Sequence, residues 1–113
     1  MDDFFDNWTV QVRKGLLELC ILNALADEER YGYDLVKTLV AIPGLGVTEG
    51  TIYPLMRRLQ TDGLVDAYLQ ESGSGPPRKY YRLTAAGRAS LAAQHAEWVA
   101  FSKAVEDILG EAP

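Results

Sequence analysis

Residues 48–64 read Thr-Glu-Gly-Thr-Ile-Tyr-Pro-Leu-Met-Arg-Arg-Leu-Gln-Thr-Asp-Gly-Leu, and their spacing decides the fold class. Ile52, Leu55, Met56 and Leu59 recur at i, i+3, i+4 and i+7, which predicts a helix with one apolar face. Thr48 is placed to cap its start by offering a hydroxyl to an unpaired first-turn N–H. Gly63, after Asp62, supplies the left-handed residue that stops a helix. The outer face holds Gly50, Thr51, Pro54, Arg57, Arg58 and Thr61, small at its N-terminal end and cationic in its middle. Such a face can approach a phosphodiester backbone closely and offer guanidinium groups to phosphates or guanine edges. Pro54 lies past the first turn, so it removes a hydrogen bond to the Gly50 carbonyl and is expected to bend the helix locally.

Upstream, residues 31–42 predict a second helix with Leu35, Val36 and Leu39 as its core face. Pro43-Gly44-Leu45-Gly46 then breaks the pattern with turn chemistry, and two short helices across a tight turn make a helix-turn-helix. Downstream, residues 64–70 read as a strand and Ser72-Gly73-Ser74-Gly75-Pro76-Pro77 as a flexible, uncharged tip. Arg78-Lys79-Tyr80-Tyr81-Arg82-Leu83-Thr84 returns as a basic, aromatic strand. Alternation sets Lys79, Tyr81 and Leu83 on one face and Arg78, Tyr80 and Arg82 on the other. These cations suit either a solvated edge strand protected from aggregation or a wing that grips phosphates. The basic cluster directly beside the tip favours the wing.

Two further helices flank this unit. The first is expected from about Val10 to Ala26, behind three aromatics at Phe4, Phe5 and Trp8. Those rings staple the helix to a neighbour or, in the case of Trp8, line a ligand cavity. Gly15 to Ala26, including Leu16, is apolar on nearly every side, and a helix of that kind must be covered all round. In so small a domain, that implies a second chain. Thr84 can cap the last helix, which reaches about Leu109. Leu91, Trp98 and Val105 recur every seven residues, with Phe101 and Ile108 offset by three, as in a helix–helix seam. The expectation is a mainly α (α+β) chain: a winged helix-turn-helix over residues 1–86 and a dimerisation helix over residues 87–113. A two-fold pair would set its recognition helices about one turn of DNA apart.

The net charge of the 113 residues is −5, unusual for a nucleic-acid binder. Its distribution matters more. Residues 30–88 carry eight basic and five acidic side chains, a local +3, while both ends are acidic. The acidic total supports a rival of another class, a winged-helix protein–protein module without specific DNA binding. No apolar run approaches the ~20 residues of a membrane span, and the N-terminus is acidic where a signal peptide is basic. Both point to the cytoplasm. Cys20 is the single cysteine, which excludes an internal disulfide and suggests a buried thiol. His95 is the single histidine and has no partner at metal-ligand spacing, so neither catalysis nor a cofactor is expected.

Four segments in order carry a family resemblance: Trp8-x-x-Gln11-x-Arg13-Lys14-Gly15; Tyr31-Gly32-Tyr33-Asp34-Leu35; Gly50-Thr51-Ile52-Tyr53-Pro54 with Leu59 and Gly63-Leu64; and Arg78 to Thr84 with Gly87. Together they resemble the PadR family of bacterial transcriptional regulators, in its short form with a single C-terminal helix. The resemblance implies a homodimeric repressor on a pseudo-palindromic operator. It sets Thr51, Tyr53, Arg57 and Arg58 on the DNA-facing helix, Arg78 and Lys79 on the wing, and Tyr33 and Lys37 as phosphate contacts. It also implies a flat hydrophobic or aromatic effector between paired tryptophans at the dimer centre, here Trp98 with Glu97 nearby. The alternative for Trp98 is a plain seam residue.

Overall fold

The computed structural model describes residues 3–110. The order is α1 (Asp3–Ala24), β1 (Arg30–Tyr31), α2 (Gly32–Val40), α3 (Glu49–Thr61), β2 (Val65–Gln70), β3 (Arg78–Leu83) and α4 (Ala85–Leu109). Leu17, Ile21 and Leu22 of α1, with Leu25 just beyond it, meet Leu35, Val36 and Leu39 of α2 and Ile52, Met56 and Leu59 of α3. Val65, Tyr81 and Leu83 close this core from the sheet side. The architecture is the expected winged helix-turn-helix.

The start of α3 differs from expectation. Thr48 occupies the N-cap position with extended backbone, yet its side chain caps no N–H. Its hydroxyl sits 3.3 Å from that of Thr51 instead, and the Thr48 carbonyl takes the Thr51 and Ile52 N–H groups. The end of α3 is as expected. Gly63 adopts φ +78, the Leu64 N–H reaches the Leu59 carbonyl at 2.9 Å and the Gly63 N–H reaches that of Gln60 at 3.0 Å. This pair of bonds is the Schellman stop that a left-handed residue permits.

The first helix corrects the expected bounds at both ends. It begins at Asp3 and takes in Phe4, Phe5 and Trp8. No proline or glycine interrupts residues 3–14, and Asp3 and Asp6 in the first turn suit the positive end of the helix dipole. It stops at Ala24, where arginines from elsewhere satisfy the trailing carbonyls. Arg30 Nε donates to the Ala24 carbonyl at 2.6 Å, and Arg88 Nη1 donates to that of Ala26 at 3.0 Å. Tyr31, expected as the start of the second helix, instead joins Arg30 in the short strand β1.

The sheet is antiparallel in the order β1-β3-β2. Its core face carries Val65, Ala67, Tyr81 and Leu83; its outer face carries Asp66, Tyr68, Tyr80 and Arg82. The hairpin tip is closed by Ser72, whose hydroxyl donates to the Pro76 carbonyl at 3.0 Å.

Thr84 ties α4 to this body. Its hydroxyl accepts the Gly87 N–H at 2.9 Å and donates to the Gly63 carbonyl at 2.7 Å, so one side chain caps the start of α4 and fixes the end of α3. Only Gly87 of α4 is fully buried. Leu91 packs on the chain's own core, and Val105 is half-buried. Trp98 (40 % exposed), Phe101 (63 %) and Ile108 (80 %) face outward, as do Phe4 and Trp8 of α1. The radius of gyration is 16.4 Å, against roughly 13 Å for a compact domain of this length.

Candidate nucleic-acid interface

On the outer face of α3, Gly50, Thr51, Pro54, Arg57, Arg58 and Thr61 are all exposed, as the spacing requires. Tyr53 sits on the flank toward α2 and the sheet. Burial raises its pKa first, followed by the Glu49 carboxylate and the phenols of Tyr81, Tyr31 and Tyr33. Arg57 lies one turn further along the same flank. It has no ion-pair partner among the described residues. Arg58, rotated about 100° further round, leans on Asp62 at 3.8 Å. An exposed pair of that length contributes little stability and is readily exchanged for a phosphate.

Beside this helix a ladder of tyrosines crosses the sheet. Register places Tyr31 opposite Tyr80 and Tyr80 opposite Tyr68. Their ring centroids are 5.8 Å apart in each pair, and Tyr33 of α2 extends the row at 6.1 Å from Tyr31. Cations sit along it. The Lys37 ammonium lies 5.3 Å from the Tyr33 ring, the Arg78 guanidinium 4.9 Å from Tyr31 and the Arg82 guanidinium 5.0 Å from Tyr68. Each contact is electrostatically favourable at the ring face. At the far end, Tyr68 hydrogen-bonds the Glu29 carboxylate, and Arg82 pairs with Glu29 at 4.0 Å and Asp66 at 3.9 Å. The Glu29 bond is the main reason the Tyr68 pKa is raised.

The fold therefore gathers Tyr33, Lys37, Tyr53 and Arg78 on one surface around Tyr31. Lys37 and Arg78, like Arg57, are cations without an ion-pair partner among the described residues. Lys79 lies on the other face of β3, 5.6 Å from the Tyr81 ring, exposed at the hairpin end. Thr51 stands on the flank of α3 away from the ladder. Tyr31, Tyr68, Tyr80 and Glu29 were missed from sequence. The residues were visible, but their row exists only because β1 pairs with β3, and a two-residue strand has no periodicity to detect.

The two expected effector tryptophans border separate spaces within the chain. Trp98 and Glu97 border a space of about 330 Å³ between α1 and α4, with Leu16, Leu19, Gln94 and Phe101. Trp8 stacks on Phe5 at 6.2 Å and borders a separate space beside Gly44 and Leu45. Cys20 is half-buried rather than buried, and burial raises its thiol pKa, the reverse of an activated nucleophile. Among the described residues no group of three or more His, Cys, Asp or Glu could hold a metal, and no helix is long and apolar enough to cross a membrane.

The model of the transcriptional regulator PadR-like family matches residues 21–93. A transcriptional regulator of Mycobacterium tuberculosis is 38 % identical over 81 residues, covering 72 % of this chain and 74 % of its own. The crystal structure of a PadR family regulator from Eggerthella lenta superposes with a TM-score of 0.80 at 37 % identity, covering 99 % of this chain and 96 % of the other. A PadR-like regulator from Bacillus cereus gives 0.78 at 40 % identity, covering 88 % and 96 %.

Proposed function

The chain belongs to the PadR-like family of transcriptional regulators, and from that premise we propose that it is a homodimeric cytoplasmic repressor of a pseudo-palindromic operator, released by a small flat effector. The observation that carries the DNA contact is the convergence of Arg57, Tyr53, Tyr33, Lys37 and Arg78 on one flank of α3. Arg57 and Arg58 enter the major groove with Thr51. Tyr33, Lys37, Arg78 and Lys79 hold phosphates and set the register without reading bases. The dimer is supported by the outward apolar side chains of α1 and α4: Phe4, Trp8, Trp98, Phe101 and Ile108 are large and exposed, more than a small monomer usually leaves in water. Leu16 and Val105, half-buried on the same two helices, extend the seam, whereas Leu91, expected there, is spent on the chain's own core.

The effector part rests on Trp98 and Glu97. Two copies of that cleft meeting at a two-fold axis would offer paired indoles to stack on an aromatic cation and carboxylates to offset its charge. Trp8 would close the rim. Titration with the gene's own upstream DNA at several salt concentrations tests the core of the proposal. The expected result is a specific complex whose log K falls steeply with log salt, lost in Arg57→Ala/Arg58→Ala while light scattering still reports a dimer. Affinity no better than for random DNA would instead favour a winged-helix protein–protein module, the reading that the net acidity supports. Unchanged Trp98 emission across a panel of planar cations would remove the effector.

A further inference from the structure

A second pair of cations lies beside α3, on the side away from the tyrosine ladder. Arg13 and Lys14 of α1 border a cleft of about 430 Å³ whose opposite wall is Gly50, Thr51 and Pro54. Thr51 and Leu55, one turn apart, face this cleft, whereas Tyr53 lies on the flank toward the sheet; about 200° of helix rotation separates Thr51 from Tyr53. The Arg13 guanidinium is laid directly over the helix-turn-helix turn. A Cβ built on Gly46 would lie 2.6 Å from Arg13 Nη2, so the guanidinium rests against that turn. Neither Arg13 nor Lys14 has an ion-pair partner among the described residues. No carboxylate borders the cleft.

We propose that Arg13 and Lys14 form a second phosphate clamp, gripping the DNA strand on the far side of the groove that α3 occupies. The proposal rests on the DNA-binding reading above. Its reason is geometric. A major groove is about 12 Å wide and bounded by a phosphate chain on each side, so a helix lying in it has a backbone on either flank. The ladder and wing cations take one. Gly50, Thr51 and Pro54 belong both to the face turned to the duplex and to the wall of this cleft, so the other phosphate chain passes its mouth. Lys14, exposed on a flexible stem, reaches out to it. Arg13, half-buried against the turn, supplies a fixed positive charge behind it.

Salt dependence separates this role from a merely structural one. Each phosphate contact contributes about 0.9 to the slope of log K against log salt, so Lys14→Gln in both protomers of a dimer should make the slope shallower by about 1.8. Adding Arg13→Gln should make it shallower still, by up to about 3.6 in total. The loss should be equal on operator and random duplexes, since phosphates carry no sequence, and Lys14→Arg should restore the wild-type slope. A wild-type slope in Lys14→Gln, with melting and dimerisation unchanged, overturns the clamp even if the double variant misfolds. If the wild-type protein itself forms no salt-sensitive complex, the DNA-binding reading fails first, and the two failures are thereby distinguished.

Discussion

Gly87→Ala probes how the DNA-binding body is joined to the helix proposed to hold two copies together. An alanine methyl at this position would lie 2.0 Å from the Leu64 carbonyl oxygen and 3.3 Å from a Leu83 methyl. A relaxed carbon–oxygen contact is about 3.3 Å, so α4 must retreat by more than about 1 Å. The Leu64 oxygen is not free to yield, because it accepts the Thr84 N–H at 3.1 Å. Retreat of α4 also stretches the Gly87 N–H bond to Thr84. Overpacking costs about 1–3 kcal/mol and a weakened bond about 0.5–1.5 kcal/mol, for a total of about 1.5–4.5 kcal/mol. At about 4 °C per kcal/mol for a domain of this size, the melting temperature should fall by roughly 6–18 °C. Since α4 continues to Leu109, a tilt at its base is amplified along its length and, in the proposed dimer, changes the spacing of the two recognition helices. Operator affinity should therefore fall by a larger factor than random-duplex affinity. Scanning calorimetry and a parallel DNA titration read both effects. Melting within about 2 °C of wild type, with the operator preference intact, would refute the packing argument.

Tyr80→Ala should remove both of its ring contacts, with Tyr31 and Tyr68. Each aromatic pair adds about 0.5–1.5 kcal/mol beyond area burial, so a loss of about 1–3 kcal/mol is expected in urea unfolding. The Tyr68 phenol is held protonated by Glu29, so its folded pKa lies above the ordinary 10.0. A raised phenol stabilises the fold fully below the unfolded value, and that contribution is lost as pH rises from there through the folded one. Tyr68→Phe should thus flatten the alkaline limb of stability above about pH 10 while leaving its shape at neutral pH unchanged; identical alkaline limbs would contradict the assignment.

Spacing alone carried most of the fold. The i, i+3, i+4, i+7 run from Ile52 to Leu59 and the alternation from Arg78 to Leu83 are each local rules, fixed by helix and strand geometry, and both elements formed within a residue of expectation. The caps were less secure. Thr84 caps α4 because Gly63 and Gly87 come within reach of its hydroxyl, whereas Thr48, with the same side chain and backbone region, spends its hydroxyl on Thr51. Residue type permits a cap, but neighbouring groups decide whether it forms.

Tertiary structure alone decided which cations act together. From sequence, alternation separates Arg78 from Lys79 but does not say what either meets; pairing β1 to β3 sets Arg78 on Tyr31 beside Tyr33 and Lys37. Arg13 and Gly46 are more than thirty residues apart in sequence, and nothing local in either announces the other. Periodicity describes one element in its own frame. The relative placement of elements depends on non-local packing, and that is where the candidate interface resides.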